Sequence, residues 1–332
     1  MTKPALIKDN YTLEHLKSLT ATDMARVNQV IVDNLASPVA LINQLSQHII
    51  HSGGKRLRPM LVMLCAKACG YQGTQDALLA SVVEFIHTAT LLHDDVVDDS
   101  SLRRGQQTAS NIWGNEAAVL VGDYLYSRAF QMMVRAQSMR IMDIFANATN
   151  TIAQGEVLQL LNINDADTTE EKYQTVIYAK TACLFEVATQ TGAIISESGE
   201  HTVQALKDFG KHLGIAFQLI DDALDYTANP DELGKNVGSD LAEGKPTLPL
   251  IYAMQHGNDS QRTLIRKAIE NGGLARIEAI TQIIHQTGAL DYTHRQALGE
   301  ANLAKAALVR LPDSEYKQAL LFLADYSVDR SC

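Results

Sequence analysis

Residues 84–105 read EFIHTATLLHDDVVDDSSLRRG, and the reading of this stretch decides the fold. Just upstream, residues 75–83 (QDALLASVV) contain no Gly or Pro and are apolar on most sides. One long buried helix is predicted over 75–99. Its end is acidic, with Asp94, Asp95, Asp98 and Asp99 in close succession. Positions i and i+4 share a helix face, so Asp94 and Asp98 point the same way with Asp95 beside them. Carboxylates this close repel one another and call for cations. Hard oxygen donors select Mg2+, which keeps several waters and binds through one or two carboxylates plus substrate phosphate. A helix C-terminus adds partial negative charge that favours a cation. Taken alone, the cluster equally fits a solvated acidic helix end.

A second cluster removes most of that ambiguity. Asp221-Asp222-Ala223-Leu224-Asp225 repeats the DDxxD spacing after another apolar helical run. Two such clusters on separate helices can face each other across a cavity, with a diphosphate bridged by Mg2+ between them. Basic residues are placed to hold that anion. Gly53-Gly54-Lys55-Arg56-Leu57-Arg58-Pro59 sets three cationic side chains at a loop entering a helix N-terminus, a ready anion site. Arg103-Arg104-Gly105 follows the first acidic motif, Lys180-Thr181 lies in mid-helix, and Lys235 and Lys245 follow the second motif. Each is ordinary as a lone surface charge; their grouping around two acidic motifs is not. His87 stands two turns before Asp94 on the same face, where a histidine is ordinarily a satisfied core residue. Glu84-x-x-His87 matches half of a di-iron bundle site, but no second Glu-x-x-His accompanies it. His93-Asp94 lacks the further histidines of a metal phosphohydrolase.

Helical periodicity extends in both directions. Helices are predicted over 20–51, with Pro38 a break or kink, from Pro59 to about Gly70, and over 114–135, 139–164, 169–197 and 201–227. A glycine-rich loop spans 229–246, and shorter helices run from Thr247 with breaks near Gly257, Asn271-Gly272-Gly273, Gly288 and Pro312. Strand signals are scarce, and aromatics are only 6% of the chain. With no linker and no short repeat, residues 1–332 read as one all-α domain, a large helical bundle, with 1–19 a flexible segment ahead of it.

The 332 residues are 46% hydrophobic and 20% charged, which fits a globular protein. A net charge of -10 argues against nucleic acid as a partner. No secretory signal and no apolar run long enough for a transmembrane helix is seen, so a cytoplasmic protein is expected. Cys65, Cys69, Cys183 and Cys332 fit no zinc spacing and read as buried free thiols.

The motifs GGKRLRP (53–59), EFIHTATLLHDDVVDDSSLRRG (84–105), GDYLYSRAF (122–130), KTACLFE (180–186) and FQLIDDALDYTANPDELGKNVGSDLAEGKPTLP (217–249) resemble, in order, those of the trans-isoprenyl diphosphate synthases. The likeness runs from about residue 20 to the end. It is similar in detail to the bacterial branch that makes the octaprenyl side chain of ubiquinone. The resemblance implies an all-α bundle around a deep central cavity, of the isoprenoid synthase type and usually a homodimer. It implies head-to-tail addition of isopentenyl diphosphate to an allylic diphosphate, farnesyl diphosphate being the expected primer. Lys55, Arg58, His87 and Arg104 correspond to the isopentenyl diphosphate site. Arg103, Lys180, Thr181, Gln218 and Lys235 correspond to the allylic site. Asp94, Asp98 and Asp221 correspond to the principal Mg2+ ligands, with Asp95, Asp222 and Asp225 in support; about three ions are expected with substrate bound. Asp94, Asp98, Asp221, Arg103, Lys180 and Lys235 are thus the catalytic candidates.

The growing hydrocarbon needs a dry wall, because water would quench an allylic cation. The helix leading away from Asp94 supplies Ile86, Ala89 and Thr90 as that wall, with Phe130, Met132 and Met133 as candidate floor. Short-chain members carry bulky residues just before the first acidic motif; here the positions are small, which favours a long product. A shorter-chain, geranylgeranyl-type synthase remains the nearest alternative. A class I terpene cyclase typically has an Asn/Ser/Glu-type second motif, and a non-catalytic partner subunit tends to lose one acidic motif. Both motifs are intact here.

Overall fold

A computed structural model of the chain describes residues 11–51, 54–227 and 238–329. Almost all of them are helical. Helix α1 (Leu13–Leu35) begins earlier than its apolar pattern suggests, so residues 13–19 are helical rather than a flexible lead. Thr12 explains the early start: its hydroxyl accepts from the His15 amide at 3.2 Å, a side-chain cap on an otherwise orphan donor. The helix predicted over 20–51 is two, α1 and α2 (Ala40–His51), separated at residues 36–39 where Pro38 stands. Proline forces its predecessor out of the helical region, so the break falls where the sequence puts it.

Helix α3 (Leu57–Ala68) has Pro59 in its first turn, where a missing N–H costs nothing. Helix α4 (Gln75–Val97) ends two residues short of the predicted 99. Helices α5 (Ala109–Trp113), α6 (Asn115–Arg135) and α7 (Met139–Asn162) follow. The segment predicted as one helix over 169–197 is α8 (Glu170–Ile177), a π turn (Tyr178–Ala182) and α9 (Cys183–Ile195). Helix α10 (Glu200–Leu224) precedes the second loop, of which residues 238–246 are described; these include a short helix, Ser239–Ala242. Helices Leu248–His256, Asp259–Asn271, Ile277–Gln286, Ala289–Ala307 and Glu315–Val328 complete the chain, broken near the glycines and proline that predicted the breaks. The one strand pairing among the described residues is a two-residue ladder, Leu102–Arg103 with Gln106–Gln107, which the sequence reading missed. Arg104 and Gly105 turn it, both with positive φ.

The chain divides into two compact units. The first comprises residues 1–149, 184–210 and 305–323. Its centre is α4, which packs chiefly on α6 and also on α3, α1 and α5. Leu79, Val82, Val83, Phe85, Ile86, Ala89 and Leu92 of α4 are buried, as are Leu61, Leu64, Leu125, Phe145 and Phe185. The N-terminus of α4 is fixed to α1 by Asp76, which is fully buried and accepts from Arg26 Nη2 at 2.7 Å. The second unit comprises residues 150–183, 211–304 and 324–332. One apolar cluster in it joins Tyr173, Ile177, Leu219, Ile220, Leu248 and Ile251; another gathers Leu250, Ile265, Ile269, Ile280 and Ile284. Among the described residues no helix is long and apolar enough to cross a membrane. Cys65 and Cys183 are buried thiols and Cys69 is half-buried; Cys332 lies outside the described residues.

Candidate active site

Both acidic motifs straddle the C-terminus of a long helix. In the first, Asp94 and Asp95 occupy the last turn of α4 and Asp98 caps it, its amide bonding the Asp94 carbonyl at 2.8 Å. Asp94 and Asp98 are half-buried, whereas Asp95 is 2% exposed. The difference follows from Arg103. Its Nε and Nη2 both reach Asp95 Oδ1 at 2.7 Å, which pins the hairpin strand to the helix end. Arg103, expected at an allylic site, thus has a carboxylate of the acidic motif as its partner.

The hairpin tip carries Arg104, and its guanidinium lies against Gly54. A Cβ built on Gly54 would stand 2.5 Å from Arg104 Nη1, so with a side chain at that position the guanidinium would have to shift. Lys55 follows on the same loop, and Arg58 stands in the first turn of α3. Arg58 Nη1 is 3.1 Å from His87 Nε2 on α4, and its guanidinium sits 4.5 Å from the Phe185 ring centroid. Desolvation, then Arg58, Arg104 and Arg103, hold the His87 imidazole well below its ordinary value. It is therefore neutral and accepts the guanidinium hydrogen bond. Glu84, one turn earlier, is pushed up by burial while Arg56, Arg58 and Arg104 draw it down. Arg58, His87 and Arg104 thus lie together in the first unit, with Lys55 on the adjoining loop, beside an N-terminus that no side chain caps. The sequence reading did not find Phe185 or the role of Glu84 as counter-charge.

In the second unit the network runs through the π turn. A π turn adds one residue to a helical repeat and re-aims the side chains around it. Gly155 of α7 lets that turn come close, since a Cβ there would meet the Ala179 Cβ at 2.6 Å. Its neighbour Glu156 pairs with Lys180 Nζ at 2.7 Å. Thr181 donates to Gln218 Oε1 at 2.8 Å, and Gln218 Nε2 donates to Asp222 Oδ1 at 2.7 Å. Tyr173 donates to Asp222 Oδ2 at 2.5 Å. Burial pushes the Asp222 carboxyl up to about 7, opposed by its bonds from Tyr173 and Gln218 and reinforced by Asp221 and Asp225. Asp225 accepts from the Ser239 amide and hydroxyl and from the Asp240 amide at 2.7–3.1 Å. Asp222 and Asp225 are buried and Asp221 is half-buried. Lys245 pairs with Glu243 at 2.6 Å. Lys235 and Gly53 lie outside the described residues. Tyr173, Glu156 and Ser239 were missed by sequence reading; only the unusual Gly155-Glu156 pair inside an apolar helix could have drawn attention.

Of the wall candidates, Ile86, Ala89, Met132 and Met133 are fully or almost fully buried. Thr90 and Phe130 are half-buried, and Thr90 donates to the His87 carbonyl at 2.8 Å. All belong to the α4 and α6 pair of the first unit.

The donors at both helix ends suit Mg2+: hard carboxylate oxygens, half-buried at Asp94, Asp98 and Asp221, at the negative pole of a helix. Among the described residues no three carboxylate, imidazole or thiol groups stand ready to enclose an ion. A cation there would complete its shell from water and a phosphate-bearing substrate, as Mg2+ commonly does.

Comparison with known proteins gives this arrangement a setting. Residues 39–287 match the family model of polyprenyl synthetases. The chain is 52% identical over 319 residues to the octaprenyl diphosphate synthase of Escherichia coli K12, covering 96% of this chain and 99% of that one. It is 48% identical over 311 residues to the geranyl-diphosphate-specific all-trans-nonaprenyl-diphosphate synthase of Rhodobacter capsulatus, covering 93% and 95%. The crystal structure of a Caulobacter crescentus polyprenyl synthase complexed with calcium and isoprenyl diphosphate superposes with a TM-score of 0.94. It shares 43% identity, with 98% of this chain and 100% of that one covered. With two acidic motifs at helix ends, a gathered set of cations and likeness along nearly its whole length, this chain belongs to the polyprenyl synthetase family.

Proposed function

We propose that the chain is a Mg2+-dependent trans-prenyltransferase that condenses isopentenyl diphosphate with an allylic diphosphate, farnesyl diphosphate the expected primer. Its product is a long-chain all-trans polyprenyl diphosphate, octaprenyl, that feeds the ubiquinone side chain. The observation that carries this reading is the pairing, within the first unit, of a half-buried carboxylate helix end with the Arg58–His87–Arg104 cluster. An acidic end alone takes up cations and a basic cluster alone takes up anions; together they suit a metal-bound diphosphate beside a second diphosphate. The two units act as one catalytic domain in this reading, supported by a family model that spans both.

Lys55, Arg58 and Arg104 bind the diphosphate of isopentenyl diphosphate, and neutral His87 orients Arg58. Lys180, Arg103 and Lys235 stabilise the charge that builds as the allylic diphosphate departs. Asp94, Asp98 and Asp221 would hold Mg2+, about three ions with substrate bound, which would supply positive charge to that leaving group. Asp95, Asp222 and Asp225 are held by protein donors and support the ligand-bearing turns. The isopentenyl double bond attacks the allylic cation, and a proton is lost to the departing diphosphate. The apolar face of α4 keeps water from the cation. Exposed Val119, Leu120 and Val134 on α6 are consistent with a second copy covering that face, so a homodimer is part of the proposal; the cytoplasm is its expected compartment.

Incubation with labelled isopentenyl diphosphate and farnesyl diphosphate, followed by chromatography of the dephosphorylated products, tests the reading. Octaprenol is expected, lost with a chelator and restored by Mg2+. Asp94→Ala and Asp221→Ala should each lower turnover by orders of magnitude; near wild-type turnover in either would overturn the two-motif site.

A further inference from the structure

We propose that Tyr173 is a positioning residue for the allylic substrate, an inference that rests on the reading above. Its buried phenol fixes Asp222, and through Asp222 and Gln218 it sets Thr181 on the π turn. Tyr173 is 5% exposed, and its ring packs among Ile177, Leu219, Ile220 and Leu248. A tyrosine in such a cluster at helical spacing would ordinarily be plain core. Its hydroxyl, however, is directed to a carboxylate of the second acidic motif at 2.5 Å.

The polarity of the chain of bonds follows from the groups themselves. In its ionised form Asp222 only accepts, so Tyr173 and the Gln218 NH2 then both donate to it. That fixes the Gln218 amide: its NH2 faces Asp222 at 2.7 Å and its carbonyl faces Thr181. The Thr181 hydroxyl must then donate to that carbonyl, 2.8 Å away. Four side chains from α8, the π turn and α10 thereby share one set of orientations. Asp222 is 3% exposed and Tyr173 5%, so the bond between them is made away from water, where a lost partner is costly. Removing the phenol hydroxyl frees one carboxylate oxygen, lets Asp222 rotate, and releases the constraint on Gln218 and Thr181 together. Thr181 adjoins Lys180, which carries the allylic leaving group in the proposed reaction. The loss should therefore be felt by the allylic substrate and not by isopentenyl diphosphate.

Tyr173→Phe removes the hydroxyl and keeps the packed ring. The variant should fold, and its KM for the allylic diphosphate should rise on the order of tenfold, the effect of one hydrogen bond to a charged group. KM for isopentenyl diphosphate should stay within about twofold. The melting temperature gained from Mg2+ plus inorganic diphosphate should shrink, a readout that needs no turnover. Thr181→Val should give the same selective change. The double variant should fall short of the product of the two single effects, because both cut one network. Unchanged allylic KM and an undiminished diphosphate shift in folded Tyr173→Phe would overturn the proposal, as would strict additivity. If Tyr173→Phe does not fold, Gln218→Met cuts the same chain from a half-buried position; an effect confined to isopentenyl diphosphate would then overturn it. Near wild-type turnover in Asp221→Ala would instead refute the reading of the site, whatever Tyr173→Phe does.

Discussion

Replacing Ala89 with phenylalanine puts a ring five residues before Asp94, about 7.5 Å along the axis of α4. An isoprene unit extends by four carbon–carbon bonds of about 1.5 Å, or roughly 5 Å of path. A tail that starts at Asp94 and follows α4 therefore meets this ring after about 1.5 units of path, so the product should be cut to a few units instead of eight. The wild-type tail has further to go. From Asp94 to Gln75 the helix rises only about 29 Å, whereas eight units need about 40 Å, so the tail must continue past α4 or bend. Ala89 is fully buried, so the ring must take space from the tail or from its neighbours. If from neighbours, overpacking costs about 1–3 kcal/mol, a melting drop of roughly 1–4 °C at this size. If from the tail, stability changes little and the product shortens. Thr90 lies on the Asp94 face and is half-buried, so Thr90→Phe is the companion variant. Mass spectrometry of dephosphorylated products, read beside melting curves, separates the two cases. An active, folded Ala89→Phe enzyme with an unchanged long-chain profile would show that the tail does not run along this face.

Arg58→Ala should raise KM for isopentenyl diphosphate on the order of tenfold to a hundredfold, with little change for the allylic substrate. Steady-state kinetics with each substrate varied in turn would check it. Arg26→Ala leaves fully buried Asp76 without its 2.7 Å partner and should destabilise by about 2 kcal/mol, measured by urea unfolding. The figure is below that for a fully buried pair because Arg26 is 35% exposed. The depressed His87 makes the fold sensitive to acid. Below its ordinary value of 6.5 the unfolded chain binds a proton that the folded one does not, so stability present above that pH is lost as pH falls. The loss is at most about 1.4 kcal/mol per pH unit. In His87→Gln, which keeps an acceptor for Arg58, the fall in urea midpoint between pH 7 and pH 5.5 should be smaller.

The parts of the fold legible in the sequence were those whose signals are local and repetitive. α4 was readable because its apolar run ends in carboxylates at i and i+4 spacing; at Pro38 the sequence marked the place of the α1–α2 break but left a kink equally open. The π turn was not readable. It inserts one residue into a periodic pattern, and apolar neighbours such as Ala179 and Ala182 fit either helix. The hairpin at Arg104-Gly105 escaped because its exposed strands do not alternate. At the site, charged residues stood out by type, but it was the resemblance of the motifs that implied the Lys55–Arg58–His87–Arg104 set. Residues that work through another side chain, such as Tyr173 and Glu156, did not stand out, since a buried aromatic or an ion pair has no signature until its partner is located in space.

The hairpin after the first acidic motif has one further consequence. Arginine carries about 2 kcal/mol of rotamer entropy, and a surface loop adds more. Here Arg103 is held by Asp95 and Arg104 is laid against Gly54, both through contacts within the chain itself. Part of the disorder of both side chains is therefore given up to intramolecular contacts, so the cost of ordering them weighs on the thermodynamic stability of the fold and not on anion affinity alone.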